Sequence, residues 1–158
     1  MTIEVQAEGP HASDLKSGAL AGIIAAAVFM MMEMEMGLVA MAGQSPWGPP
    51  RMIAAIVMGE GVLPPPSSFD LMILMAAMAV HFMLSIVIGV VFAMGVRRPG
   101  LPMALMAGAA VGLGLYVVNF YGFTVIFPWF AMARNAISIV SHLAFGMVLG
   151  LSYRVLTK

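Results

Sequence analysis

Four long apolar runs, at residues 15–42, 70–96, 101–123 and 133–156, constrain this chain more than anything else in it. Roughly 20 apolar residues cross a bilayer core as a helix, and lipid obliges each such run to satisfy its own backbone hydrogen bonds. Long alternating stretches are absent, which argues against a transmembrane β-barrel. Composition agrees. Only 9% of residues are charged, against about a quarter in a soluble domain, so too few exist to coat a water-facing surface. Net charge is zero, which leaves no electrostatic case for nucleic acid. There is no Cys, so disulfides, thiolate metal sites and Cys nucleophiles are excluded. The first run does not read as a cleavable signal: a polar stretch precedes it, it is longer than a signal core, and three more runs come after it. The expected fold is all-α: a polytopic membrane protein, a four-helix transmembrane bundle in a single domain over 1–158.

Basic residues set the expected orientation. Lys16, Arg97, Arg98, Arg154 and Lys158 fall on one side and only Arg51 and Arg134 on the other, which puts both termini in the cytoplasm. The tail is then residues 1–14. The Arg97-Arg98-Pro99 turn is short enough only for an antiparallel helix pair. Residues 43–69 form the outer loop. There Pro49 and Pro50 can open a short interfacial helix over 51–58, ended by Gly59 and Gly61. Ser67 and Asp70 have capping-box spacing before the second span.

The two halves resemble each other. Gly22 precedes Glu33 by the interval at which Gly108 precedes Asn119, and His81 precedes Gly89 as His142 precedes Gly150. Pro46-Trp47 leads to Arg51 much as Pro128-Trp129 leads to Arg134. Such internal similarity points to two pseudo-repeated helical hairpins related by an axis along the membrane normal. Gly18, Gly22, Ala25, Phe29, Glu33 and Gly37 share one helical face, as do Gly108, Gly112, Leu115 and Asn119. His81, Ser85 and Gly89 form a stripe on the second span, and His142, Gly146 and Gly150 one on the fourth. Small residues on such stripes let helices approach closely in lipid. The polar residues on them therefore point inward.

Glu33, His81, Asn119 and His142 are thus expected to gather as a buried polar site, with Glu33 about 12 Å below a helix end at Met41. Ionisable groups at this depth mark function by default. Three readings stand. The first is a bound cofactor or metal. The imidazoles of His81 and His142 can be axial ligands of haem b, with Arg51 and Arg134 facing its propionates. His81, His142 and Glu33 can instead hold a divalent metal such as zinc, with Asn119 behind them. The second is conduction or transport. A carboxyl beside an imidazole can exchange a proton near neutral pH, with a homo-oligomer or the subunits of a membrane complex supplying room for a pathway. The third is structural: Glu33 bonds one imidazole, Asn119 the other, and the cluster fixes helix register. Arg51 and Arg134 sit at the outer boundary with Trp47 and Trp129, where they can cap loops or meet lipid phosphates. Glu35 faces another side from Glu33 and is expected to snorkel or pair with Arg51. Consecutive Met30, Met31 and Met32 point around the helix and so cannot converge on Cu(I). No phosphate loop, nucleophile elbow or zinc-protease motif occurs, so an enzyme is not expected.

The segments Asn119-Phe120-Tyr121-Gly122-Phe123, Phe127-Pro128-Trp129-Phe130 and Ala133-Arg134-Asn135 carry a resemblance, as do Ser45 through Ile53 and the surroundings of His81. Over nearly its whole length the chain resembles a family of small four-span bacterial inner-membrane proteins, some labelled sodium:proline symporters. The resemblance implies the four-span topology and the bacterial inner membrane, and it transfers no site residues.

Overall fold

In the structure, a computed structural model, residues 11–40 and 45–158 are described, without the side chains of 36–40. The first ten residues of the expected tail, the helix end expected at Met41 and the side-chain stripe position at Gly37 lie outside the described residues. Among the described residues five α-helices come in the order α1 (Ala12–Ala40), α2 (Gly48–Met58), α3 (Leu71–Gly95), α4 (Leu101–Val117) and α5 (Ala136–Leu156). All but α2 belong to stretches long and apolar enough to cross a membrane, Ala12–Glu35, Leu71–Gly95, Leu101–Val125 and Ala136–Leu156. The chain is a multi-pass membrane protein by this measure, with Met72, Met106 and Val125 among the apolar side chains turned outward.

Glycines set the α1–α3 and α4–α5 pairings, and Ala21, Ala25 and Phe29 packed with Phe145 and Leu149 set the α1–α5 one. α1 packs on α3 and on α5, and α5 packs in turn on α4. A Cβ on Gly22 would strike the carbonyl of Ser85, and one on Gly18 or Gly89 the carbonyl of the other glycine. The second hairpin repeats this, with Gly108 against Gly146, Gly112 against the His142 carbonyl and Gly150 against that of Ala104. Backbones meet directly at these crossings, which is how dispersion contacts bind helices in lipid. α3 and α4 are consecutive in sequence yet share no extended backbone contact. The bundle is therefore an open array, α3–α1–α5–α4, rather than a closed ring.

Ala21, Ala25, Phe92, Ala93, Phe145, Leu149 and Tyr153 fill the half nearer the termini. At that end Asp14 is buried and accepts a hydrogen bond from Nε of Arg98 at 3.5 Å. Arg98 takes a left-handed φ of 38° in the α3–α4 turn, a conformation disfavoured for residues with a Cβ. At the loop end, Ala54 packs with Ile73 and Ala77 and holds α2 on the flank of α3.

Local signals decide the helix ends. Asp70 itself caps α3, accepting from the Ile73 amide at 3.0 Å, so the box expected from Ser67 is displaced by one turn. Asn135 caps α5 in the same way through the Ser138 amide at 3.0 Å. The fourth span consequently begins at Ala136, three residues later than expected, because Pro128–Ala133 is wound as a 3₁₀ helix. Pro49 and Pro50 do occupy the first turn of α2, which opens earlier, at Gly48. Its end falls at Gly59, whose φ of 82° favours glycine.

Candidate functional site

The four polar residues come from four different helical segments and line one cavity of about 280 Å³. Glu33 arrives on α1, His81 on α3 and His142 on α5. Asn119 lies just past α4, in a π-helical turn spanning Val118–Gly122. Such widened turns re-aim side chains and recur at functional sites. Ile88, Leu115 and Phe145 line the cavity toward the termini; Met52, Ile53 and Ile56 of α2, with Phe130, close it toward the loops. Residues of both α3 and α4 line the cavity, which lies on the side where these two helices lack extended contact. Leu84, Val118 and Phe123 line it while being 48%, 47% and 41% exposed. They form an apolar mouth, and all three belong to stretches apolar enough to cross a membrane.

Hydrogen bonds fix the imidazoles. A carbonyl can only accept, so the proton of His142 sits on Nδ1, which donates to the Ser138 carbonyl at 2.8 Å. The opposite nitrogen, Nε2, then accepts from the Asn119 amide at 3.1 Å. His81 donates from Nε2 to the Ala26 carbonyl at 3.0 Å, which makes its Nδ1 an acceptor in the neutral ring. Phe29 packs against both rings, stacked on His81 with centroids 5.5 Å apart and edge-on to His142 at 4.9 Å. Glu33 meets neither imidazole, contrary to the expected pairing. Ser141 hydrogen-bonds its carboxyl, and Oε1 remains buried without a partner.

This arrangement does not fit the metal or haem expected at His81, His142 and Glu33. Among the described residues no three His, Asp or Glu side chains converge as an ion would require. Both ring nitrogens of His142 are already bonded, and Nε2 of His81 donates to the Ala26 carbonyl. Nor do the arginines face a propionate site. Arg51 donates to the carbonyls of Val62 at 2.7 Å and Ser68 at 3.0 Å, and Arg134 to the Phe120 carbonyl at 2.6 Å and to Thr124 Oγ1 at 3.0 Å. Both are loop clamps. Glu35 is exposed, and the guanidinium of Arg51 is directed to those carbonyls instead of to it.

The boundary tryptophans also hold the loops. Trp47 packs edge-on to Phe69 at 5.0 Å. Trp129 donates from Nε1 to the Met52 carbonyl at 3.0 Å and ties the second loop to α2. Phe29, on the α1 stripe one turn before Glu33, was legible as a wall residue, whereas Ser141 and the π-turn were not. Ser141 adjoins His142, a signal too common to single out. The π-turn leaves no mark in spacing, because its extra residue shifts only the positions C-terminal to it.

Chemically, the cavity offers acceptors, Glu33 Oε1 and His81 Nδ1, amid phenyl rings. Comparisons with protein-family models, with curated proteins and with solved structures each found no match to this chain.

Proposed function

We propose that this chain is a bacterial inner-membrane protein of accessory or transport-like type that admits a small guest from the bilayer into the cavity between α3 and α4. Glu33, His81, Asn119 and His142 are the polar groups that meet it. Both termini are cytoplasmic, on the balance of basic residues, and the location rests on the family resemblance. The observation that carries the reading is the cavity: polar groups from four segments line a space whose exposed rim faces lipid. Intramembrane ionisable groups beside such a space mark ligand or ion sites.

The architecture is two homologous hairpins. Supporting this, Gly18 to Ala104, Gly22 to Gly108, Ala26 to Gly112 and Glu33 to Asn119 are separated by one common interval. His81 to His142, Ser85 to Gly146 and Gly89 to Gly150 share another. The crossings obey the same correspondence: Gly18 with Gly89 matches Ala104 with Gly150, and Gly22 with Ser85 matches Gly108 with Gly146. The Ala26 carbonyl meets His81 where Gly112 meets the His142 backbone. Repeats that converge on a polar centre suit guest movement.

Native mass spectrometry of protein released from its own membranes tests the reading. Leu115→Trp fills the cavity from the α4 side. The wild type should carry a non-protein mass that Leu115→Trp lacks. If both fly as bare chains with equal helix content, the guest-binding role is wrong.

A further inference from the structure

The lining of the cavity identifies its guest by class. No Lys or Arg is among the lining residues. The arginines nearest the loops, Arg51 and Arg134, are held by backbone carbonyls and the Thr124 hydroxyl. The carboxyl of Glu33 thus faces the cavity with no basic side chain beside it. Its Oε1 is buried and lacks a donor. His81, whose Nε2 donates to the Ala26 carbonyl, presents Nδ1 as an acceptor in its neutral form. An anionic or phosphate-bearing guest would meet a carboxyl and no cation, an arrangement that costs free energy in a low dielectric.

The remaining wall is aromatic and aliphatic. Phe29, Phe120, Phe123, Phe130 and Phe145 all contribute to it. Phenyl faces attract organic cations, and more so where water is excluded. The mouth at Leu84, Val118 and Phe123 is apolar, so a guest must partition into lipid before it arrives.

We infer that the cavity binds a lipophilic amine in its ammonium form, whose N–H donates to Oε1 of Glu33 while its apolar body lies among the phenyl rings. This deepens the guest-binding reading and rests on it. A charge-assisted hydrogen bond of this type shortens the contact and strengthens it over a neutral one. Of the guests that can cross the mouth, an amine supplies the donor that Oε1 lacks, and its ammonium form brings the counter-charge that a carboxylate needs in a low dielectric.

The test compares two probes of one shape, N,N-dimethylbenzylamine and its hydrocarbon isostere isobutylbenzene. Each is titrated into the full chain in lipid nanodiscs near neutral pH, with empty nanodiscs as the partition blank. The amine should bind more tightly than the hydrocarbon by roughly ten- to a hundred-fold, the range of a hydrogen bond to a charged group. Glu33→Gln should abolish most of that difference, and Leu115→Trp should abolish binding of both. Equal binding of the two probes by the wild type, lost in Leu115→Trp, overturns the amine and leaves a cavity open to guests. The probe comparison on wild type needs no variant to fold. An amine that binds Glu33→Gln as tightly as wild type also overturns the assignment.

Discussion

At the residue scale the firmest arrangement is the chain from Ser138 through His142 to Asn119. One carbonyl sets the tautomer of the imidazole, and the tautomer dictates what the amide must do. Asn119→Leu keeps the size of the side chain and removes the donor, which leaves Nε2 of buried His142 unsatisfied. Buried orphan groups cost about 1–3 kcal/mol, and in membranes side-chain bonds measure nearer the low end. SDS-titrated unfolding should therefore show Asn119→Leu less stable by about 1 kcal/mol. Stability equal to wild type would mean that the Asn119–His142 bond does not hold the turn to α5. Which residues would line the site was legible from the stripes, because depth and helical face are both properties of spacing. The partners were not. Nothing in the sequence separates Glu33 bonded to an imidazole from Glu33 bonded to Ser141, since all three groups fall within a side chain's reach.

At the scale of elements, glycines govern how α1 meets α3 and how α4 meets α5. Gly108 and Gly146 lie so close that a Cβ on either reaches the other's carbonyl. Gly114, on the same helix as Gly108, has open space where its Cβ would be. The two positions predict opposite signs. Gly146→Leu should separate α4 from α5 and cost about 1–3 kcal/mol or more, as overpacking does. Gly114→Ala should gain up to about 1 kcal/mol from helix propensity. Both are read from the same unfolding titration, and a tolerated Gly146→Leu would refute the backbone contact. The small-residue stripes announced these crossings in the sequence. Helix ends were less legible: Asp70 and Asn135 are both good caps, yet Ser67 offered a competing start. The 3₁₀ winding of Pro128–Ala133 also displaced the beginning of α5.

At the scale of the whole molecule, the array α3–α1–α5–α4 leaves its two outer helices apart. Stripe patterns specify pairs of faces and say nothing about whether the chain of pairs closes. That is why four helices could be read from the sequence and the opening between them could not. α2, held on α3 by Ala54, Ile73 and Ala77 and tied to the second loop by Trp129, roofs the opening at its loop end. The proposed guest binding depends on that opening. A crystallographic map from protein grown in a lipidic mesophase measures it directly. In that map α3 and α4 should stand apart, with non-protein density beside Glu33, His81 and Phe29. A map with α3 packed on α4 and the space filled by the chain's own side chains would contradict a guest-binding opening.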